Sequence, residues 1–465
     1  MRDPLLFWVA LLTAVYIAVY FARNWPTKHL ASPSSLYAVL VAVHFAVPGM
    51  LFGLEQGPDY VFLPNGQFAA EAMLFAFASL LAFQGGSFFV NSGVLGRRHR
   101  HYGAARPFWA RNRVLVCVVA LLVGGWMARI HIIESNAYFQ ILRGAEQGDL
   151  AGPFYTAILM AEQSPTYAIC ILAIVYWRPN VSPSRLLRLA LVCVVLSEIV
   201  YWLPSGRKEP VVLTVVLPLM TRYLQRRKLP SARIALSLLT AAVLMFPAIQ
   251  LYRNAMEAGG TGGGLIDTVV TATTIAETGT VSTNMSGGEI IFGRMSLLEP
   301  LSACIRLNRN GAWEPMLGIS YAQALLSFVP RFMWPEKPNL HYGTVFGHAA
   351  GFLSRDDWFT SISVTFFGEA FLNFAWGGLV PILLMGAIFG GLYRQITASL
   401  HRETWLLVYL VAMPTILYIG GTFAMYFGGL IKLLPFFYVV GRLMARRRPL
   451  RPHVGRTPAP SVVIR

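Results

Sequence analysis

Long apolar runs separated by short polar loops set the pattern of this chain. About 20 consecutive apolar residues, wound as an α-helix, are needed to cross the hydrocarbon core of a bilayer. By that length rule the pattern predicts an all-α polytopic membrane protein with about eleven transmembrane helices, in a range of roughly 10 to 14. The predicted spans lie near residues 4–22, 36–54, 68–90, 114–133, 157–177, 187–203, 209–222, 234–252, 375–393, 405–423 and 426–444.

The stretch between the eighth and ninth predicted spans, residues 253–374, does not have the pattern of a span. It opens with a Gly-rich run at 258–264, and two later segments, Ile291–Ile305 and Ile319–Met333, have apolar residues at helical spacing. This periodicity predicts two amphipathic helices lying at the membrane surface. The run Ser363–Phe374 predicts a helix or a re-entrant segment that leads into the ninth span.

The same pattern divides the chain into four parts. We predict an N-terminal bundle of about eight spans over 1–252, a large loop over 253–374, C-terminal spans over 375–445 and a basic tail over 446–465. No internal repeat is visible, which weighs slightly against a repeat-built transporter.

Composition agrees with a membrane protein. Apolar residues make up 55% of the 465 residues, charged residues make up 13%, and the mean hydropathy is +0.55. A soluble domain carries about twice that charged fraction. No cleavable signal sequence is predicted at the start, so the first apolar stretch is expected to be a retained span. The four cysteines predict neither a disulfide framework nor a metal-binding pair.

The formal charge of +17 comes largely from arginine clusters that flank predicted spans. Six arginines lie between residues 97 and 113, and six more lie between residues 446 and 465. Such clusters mark cytoplasmic loops by the positive-inside rule, and they also suit binding to anionic membrane lipids. This distribution gives no reason to expect a nucleic-acid partner.

Basic loops alternate strictly with loops near 55–67, 134–156, 204–208 and 253–374. The alternation predicts that these four loops and the N-terminus lie outside the cytoplasm, and that the C-terminus lies inside. Residues 253–358 carry seven cations and nine acids, a net charge of −2. An anion site there must therefore be a local convergence of cations, which fits a diphosphate better than a polyanion.

The turn between the sixth and seventh predicted spans holds two adjacent cations, Arg207 and Lys208, in the run Ser205–Pro210. Outward-facing cations run against the usual charge bias, and a guanidinium can donate two parallel hydrogen bonds to a phosphate. The alternative is a pair of side chains that reach back to the membrane interface.

Three further cations on the predicted outer side are candidates for binding an anionic substrate: Arg253, Arg294 and Arg331. Arg294 lies at the start of a predicted helix, where a cation opposes the helix dipole and does not stabilise the helix. Arg331 has a structural alternative, because Glu336 is close enough in sequence to form an ion pair with it.

The candidates for a general base on the outer side are Glu369, His341, His348, Asp356 and Asp357. A carboxylate in an apolar run such as Gly368–Phe374 is costly unless it has a partner, so Glu369 is a site candidate by default. The two histidines are seven residues apart and would share a helix face, but Gly343 and Gly347 argue against a helix there. Two histidines without a third ligand are weak support for a metal, and none is predicted.

Five ionisable residues fall inside or near predicted spans: Arg129, His131, Glu134, Glu162 and Glu198. Arg129 lies near the outer end of its helix and could extend its guanidinium to the interface. Glu162 and Glu198 lie deeper, so they are expected to line a polar cavity or to pair with an arginine.

Several of these residues lie in runs that resemble motifs of a known family. The runs Pro330–Pro338, Thr360–Ser363 and Gly368–Phe374 resemble the Wzy-type polymerases of O-antigen and exopolysaccharide repeat units. The layout, with many spans and one large outer loop late in the chain, is similar over the whole length. Similarity at the level of motifs is confined to about residues 290–380 and the Gly206-Arg207 turn. The family pattern has a Gly-rich pair after Asn-Phe, and Trp376, between Ala375 and Gly377, departs from it.

The resemblance implies an inverting, metal-independent glycosyltransferase of the GT-C type that needs no cofactor. Its substrates would be glycans on undecaprenyl diphosphate, and its place would be the bacterial inner membrane with the active site facing the periplasm. A chain-length regulator and a flippase would be its protein partners. By position, Arg207, Arg253, Arg294 and Arg331 would hold the diphosphate. The chemistry agrees, because preorganised guanidinium groups neutralise charge on a departing diphosphate.

Two other functions fit part of the sequence. An O-antigen ligase uses the same donor with lipid A as acceptor and is usually marked by an outer catalytic histidine, for which His341 and His348 are available. A transporter or flippase of a lipid-linked or anionic solute is the alternative from another class, although a loop of about a hundred residues is unusual for one.

Overall fold

The computed structural model describes the chain in ten stretches and a few single residues. The stretches are 3–24, 30–54, 68–92, 108–135, 155–179, 184–205, 208–228, 296–326, 342–357 and 360–446, and the single residues are 138, 231, 233, 237, 240, 274, 329 and 334. Nearly all of this is helical. The described strands are two residues long each, Phe108–Trp109 (β1) and Ala445–Arg446 (β2), and they pair antiparallel. The prediction of an all-α membrane protein is confirmed at this level.

The helices have the following bounds in chain order. They are α1 (Pro4–Asn24), α2 (Pro33–Val41), a π-helical turn (Ala42–Ala46), α3 (Val47–Gly53), α4 (Ala69–Asn91), α5 (Arg111–Glu134), α6 (Tyr155–Glu162), α7 (Ser164–Tyr176), α8 (Arg185–Trp202), α9 (Lys208–Arg226), α10 (Leu298–Arg309), α11 (Ile319–Leu326), α12 (Gly343–Ala350), α13 (Phe366–Phe374), a 3₁₀ turn (Ala375–Gly378), α14 (Leu379–Ala398), α15 (Arg402–Leu417) and α16 (Phe423–Met444).

Seven helical segments in the described part of the chain are long and apolar enough to cross a membrane. They are Pro4–Asn24, Pro33–Gly53, Ala69–Asn91, Arg111–Glu134, Ala157–Tyr176, Phe366–Ala398 and Phe427–Met444. The predicted count of eleven is not confirmed. Helices α8, α9 and α15 occupy three further predicted spans but are shorter or carry more charge. Of the predicted span 234–252 only residues 237 and 240 are described.

Helices α4 and α14 run parallel in close backbone contact. A side chain at Gly86 or Gly386 would collide with the main chain of the opposite helix, and a Cβ at Gly390 would lie 2.8 Å from Ser87 Cα. Small residues permit such an approach between helices in a membrane, where dispersion contacts replace the hydrophobic effect as the attractive force. At the far end Arg394 Nη1 donates to the Val90 carbonyl at 2.8 Å. The loop charges predict that both spans cross the membrane from outside to inside, and the parallel packing agrees with this prediction.

Helix α15 lies at the centre of the bundle. Its residues from Leu406 to Met413 are all buried, and it packs against α2, α7, α9, α14 and α16. The Tyr409 hydroxyl donates to the Ala31 carbonyl at 2.7 Å. A helix surrounded by other helices reads as apolar on all faces, which is why its sequence shows no clear amphipathic stripe.

Loops predicted to be cytoplasmic meet at one end of the bundle. Arg178 Nε lies 2.7 Å from Glu403 Oε1, and the backbone N–H of Trp109 donates to Glu403 Oε2 at 2.9 Å. Arg113 Nη1 donates to the Leu443 and Ala445 carbonyls next to the β1–β2 pair. The grouping agrees with the alternation of basic loops along the chain.

The segment after the eighth predicted span corrects two expectations. Helix α10 was expected at the membrane surface, but it packs into the protein against α4 and α13, because its small and apolar residues from Leu301 to Ile305 all face other helices. A helix also forms at α12 in spite of two glycines. A Cβ at Gly347 would lie 2.6 Å from Leu353 Cδ1, and one at Gly343 would lie 2.7 Å from the Ile362 carbonyl oxygen. Both glycines therefore make room for the chain that returns over α12.

Candidate functional site

The expectation of a helix over Ser363–Phe374 is met by α13, which carries Glu369. Thr365 caps its start, with its Oγ1 accepting from the Gly368 N–H at 2.9 Å. A Cβ at Gly368 would lie 2.6 Å from Cys304 Sγ, so the glycine allows α13 to lie directly on α10. The helix stops at Ala375, whose φ of +48° breaks the chain before α14. These devices hold Glu369 fully inside the protein, with 2% of its surface exposed.

The Glu369 carboxyl group lies at the N-terminus of α16. Its Oε2 accepts a hydrogen bond from the backbone N–H of Phe423, the first residue of that helix. The N-terminal end of a helix carries unpaired N–H groups and a partial positive charge, which stabilise a carboxylate. The other oxygen, Oε1, is buried and has no hydrogen-bond partner within the described part of the chain. One oxygen of this carboxyl group is therefore bound by the start of α16, and the other is buried without a partner among the described residues.

A buried amide fixes the segment around Glu369. Asn373 lies one turn later on α13, and its Nδ2 donates to the Glu369 carbonyl at 2.8 Å and to Ser320 Oγ at 2.9 Å. Its Oδ1 accepts from the Gly318 N–H at 2.8 Å. The start of α11 is thus tied to α13, and the Ser320 hydroxyl lies beside the Glu369 carboxyl group. Sequence reasoning did not assign a role to Ser320 or Asn373, although the spacing of four from Glu369 is a signal for a shared helix face.

Two tyrosines lie close to the same carboxyl group. Tyr321 stacks on Phe374 and meets Phe423 edge-on, with ring centres 6.1 and 4.6 Å apart respectively. Burial, with the nearby charge of Glu369, raises the pKa of Tyr321 well above its usual value, and the same causes raise the pKa of Tyr342. Both phenols therefore remain protonated and act as hydrogen-bond donors. The Tyr342 hydroxyl donates to Gln323, whereas the Tyr321 hydroxyl is buried without a partner in the described chain.

An aromatic cleft of about 30 Å³ borders this group of residues. The rings of Tyr37 and Phe83 stack in its wall at 3.9 Å, and Tyr37 also meets Phe367 edge-on at 5.7 Å. The Tyr37 hydroxyl is another buried group without a partner in the described residues. The aromatic residues that line the cleft are Tyr37, Phe83, Phe366, Phe389, Tyr418, Phe423 and Phe427.

The other candidates for a general base occupy different surroundings. His348 lies half-buried on α12, which packs on α10. Asp357 caps a turn by accepting from the Thr360 N–H at 2.9 Å, and Asp356 is exposed. Among the candidates that the structure describes, Glu369 is the fully buried one.

Most of the predicted cations fall outside the described residues. These are Arg207, Arg253, Arg294 and Arg331, and His341 lies outside them as well. Lys208 begins α9, and its side chain is not described. The convergence of these cations on a diphosphate remains a prediction.

Two outer arginines that are described have partners in the protein. Arg306 Nη2 donates to the Ala350 carbonyl at the end of α12, at 2.7 Å. Arg309 Nη2 lies 2.6 Å from Glu71 Oε1, and Trp376 Nε1 donates to the same oxygen at 3.2 Å. The first contact ties α10 to α12, and the second ties α10 to α4 and to the 3₁₀ turn before α14, which gives both cations a structural role.

The charged residues predicted within the spans form a second buried site. Arg129 and Glu198 are both fully buried, with Arg129 Nη1 at 2.5 Å from Glu198 Oε1. The guanidinium also lies 4.0 Å from the ring centre of Tyr201, whose hydroxyl donates to Glu162 Oε1 at 2.7 Å. The expected pairing of an arginine with Glu198 is confirmed. The expectation that Arg129 extends to the interface was wrong, because this ion pair holds it inside the bundle.

Among the described residues no three His, Cys, Asp or Glu side chains come together as a metal site. A reaction without metal remains a prediction. Comparison of the chain with protein-family models, with curated proteins and with solved structures gave no match.

Proposed function

We propose that this protein is a polymerase of lipid-linked oligosaccharide repeat units. It transfers a growing glycan from undecaprenyl diphosphate to a sugar hydroxyl of the next lipid-linked unit. The observation that carries the proposal is the buried Glu369 carboxyl group. One of its oxygens is bound to the start of α16, and the other has no hydrogen-bond partner in the described chain. The motif resemblance around this residue supplies the reaction class.

In the proposed reaction Glu369 is the general base. The acceptor hydroxyl gives its proton to Glu369, its oxygen bonds to the anomeric carbon of the donor sugar, and the bond to the lipid diphosphate breaks with inversion. The diphosphate carries away the electron pair of that bond, and the proton leaves Glu369 before the next turnover. A positioned base of this kind contributes about 10²- to 10⁴-fold to a rate.

The surroundings of Glu369 support this role. The bond from Phe423 fixes the carboxyl group, and Asn373 fixes the helix segment that carries it. A group held in this way needs little reorganisation during the reaction, which is the main source of enzymatic acceleration. We place the site on the periplasmic side of a bacterial inner membrane, because it belongs to the segment predicted to lie outside.

We assign the binding of the departing diphosphate to the predicted cations. Arg207, Lys208, Arg253, Arg294 and Arg331 are the candidates, by their place in the sequence and by the family resemblance. Guanidinium groups suit this task because they donate in parallel to two phosphate oxygens and stay charged at every physiological pH.

The test is product formation by the purified full-length protein in lipid nanodiscs. The substrate is a repeat unit on undecaprenyl diphosphate from the producing bacterium, without nucleotide sugar, and with or without a chelator. We expect longer lipid-linked glycans in both samples and a loss of about 10²- to 10⁴-fold in the Glu369→Gln variant. Glu314→Gln, at an exposed position of the same outer segment, is the matched control and should keep the wild-type rate.

Other products would assign other functions. Transfer of the glycan to lipid A, and not to a second repeat unit, would identify a ligase. Cells that lack the protein and accumulate single repeat units in the outer leaflet support a polymerase, whereas loss of all outer-leaflet product would identify a flippase. Product formation by Glu369→Gln at the wild-type rate would remove Glu369 as the base.

A further inference from the structure

Three buried polar atoms that have no partner in the described part of the chain belong to helices that pack around the aromatic cleft. They are Glu369 Oε1, the Tyr321 hydroxyl and the Tyr37 hydroxyl. Native proteins satisfy most buried polar groups, so each exception needs an explanation. Three exceptions around one cleft have one economical explanation, which is a shared ligand.

The packing that brings these groups together involves four helices. Tyr321 on α11 meets Phe423, whose N–H holds Glu369, so the phenol and the carboxyl group flank the start of α16. Tyr37 on α2 meets Phe367 of α13 and lines the cleft that Phe423 also lines. Phe423 therefore contacts both Tyr321 and Glu369, and it lines the same cleft as Tyr37.

The set of groups defines the ligand that it suits. Two neutral phenols donate hydrogen bonds, and one carboxylate oxygen accepts. Aromatic rings form the walls, and the cleft of about 30 Å³ has room for about two water molecules. A volume this small admits a hydroxyl-bearing edge of a ligand and excludes a whole ring.

We propose that Glu369, Tyr321 and Tyr37 form a subsite for the acceptor sugar, with the attacking hydroxyl on Glu369 Oε1 and an adjacent oxygen on the two phenols. This inference rests on the proposed function and names the part of the substrate that the site takes. Tyr321 and Tyr37 then determine which hydroxyl of the acceptor reaches the base, and so which linkage is made.

The experiment separates binding from folding. The full-length protein in nanodiscs is titrated with the lipid-diphosphate-linked repeat unit and, separately, with bare undecaprenyl diphosphate, and its thermal unfolding is measured without ligand. The variants are Tyr321→Phe and Tyr37→Phe. Tyr409→Phe is the matched control, since it also removes a buried hydroxyl, but one that is bonded to Ala31 in the protein.

We expect each subsite variant to weaken binding of the glycolipid about fivefold, the equivalent of one neutral hydrogen bond, and to leave binding of bare undecaprenyl diphosphate unchanged. Their unfolding temperatures should stay level or rise, because they remove an unpartnered buried group. Tyr409→Phe should show the opposite result, with a lower unfolding temperature and wild-type affinity.

Wild-type affinity for the glycolipid in both subsite variants overturns the inference, and so does equal weakening for the two ligands. The proposed function is judged separately by chain extension. Normal extension with an unchanged KM in both tyrosine variants removes the subsite and leaves the polymerase standing. If the wild-type protein makes no polymer but the two variants bind the glycolipid more weakly than it does, the proposed function fails and the subsite remains supported.

Discussion

The bundle buries the carboxyl groups of Glu198 and Glu369 in comparable apolar surroundings but gives them different hydrogen-bond partners. Both oxygens of Glu198 are occupied, Oε1 by Arg129 and Oε2 by the Thr166 hydroxyl and the Trp202 indole N–H. Glu369 has one oxygen on the start of α16 and one without a partner in the described chain. Burial alone therefore does not distinguish a structural carboxylate from a functional one. The two carboxylates differ in their oxygens: both oxygens of Glu198 accept hydrogen bonds, whereas Oε1 of Glu369 has no partner among the described residues.

The largest effect should separate the two carboxylates by rate. Glu369→Gln should lower chain extension by about 10²- to 10⁴-fold while the variant folds normally, because the amide keeps the shape of the side chain but cannot take a proton. Glu198→Gln should lower the amount of folded protein and leave the rate per folded molecule near the wild-type value. Radiolabelled product, normalised to monodisperse protein, gives both quantities. A rate loss of the same size in both variants would break the comparison.

The next effect concerns the stability of the paired site. Arg129→Met removes the cation and leaves Glu198 charged and buried, which should lower the free energy of unfolding by about 3–5 kcal/mol. The double variant Arg129→Met with Glu198→Leu should recover much of that loss, since replacing both partners of a buried pair by apolar groups is often neutral. Chemical or thermal unfolding in detergent measures the difference. An unchanged stability in the single variant would show that the pair contributes nothing.

The next prediction concerns the pH dependence of stability, which should include a contribution from the partly buried carboxyl group of Glu299. Glu299 lies in the first turn of α10, which packs on α4, and burial raises its pKa to about 7. The unfolded chain loses this proton near pH 4.5 and the folded protein only near pH 7, so stability should fall as the pH rises through that window, by up to about 3 kcal/mol. Glu299→Gln should remove this part of the pH dependence. Unfolding curves at pH 4.5 and pH 8 for both proteins test the sign.

The smallest effect tests how well Glu198 is satisfied. Thr166→Val removes one of its donors at 2.8 Å and leaves the ion pair in place, so stability should fall by about 1 kcal/mol. Ser320→Ala, beside Glu369, should change stability less and lower the rate of chain extension more. Parallel unfolding and extension assays of the two variants check the contrast. A larger loss of stability in Ser320→Ala together with a larger loss of rate in Thr166→Val would contradict the roles given to the two sites.

Much of the outline was open to prediction. Apolar runs of sufficient length predicted the helices that carry the spans, and a carboxylate in the run Gly368–Phe374 was a site candidate from composition alone. The pairing of Glu198 with an arginine followed from the high energy of an unpaired charge in a membrane. The helix at α12 was not predicted, because glycine lowers helix propensity. In the structure the two glycines are needed because Leu353 and Ile362 leave no room for a Cβ atom.

The tyrosines and the serine next to Glu369 were not predicted. Tyr37, Ser320 and Tyr321 lie about 50 residues or more from Glu369 in the chain, in runs that look like ordinary helix. Nothing in a one-dimensional pattern records whether a hydroxyl finds a partner, since that depends on which helices meet. Closeness of this kind arises only when α2, α11, α13 and α16 are packed together.

The sequence by itself determined that this chain forms apolar helices and that a few ionisable residues must be explained, and it predicted which loops share a side of the membrane. These properties follow from the transfer energies of single side chains and from the spacing of residues along a helix, both of which are local. The tertiary structure decided which buried charges are paired and which are left open, because hydrogen bonds between helices depend on packing that no local pattern contains.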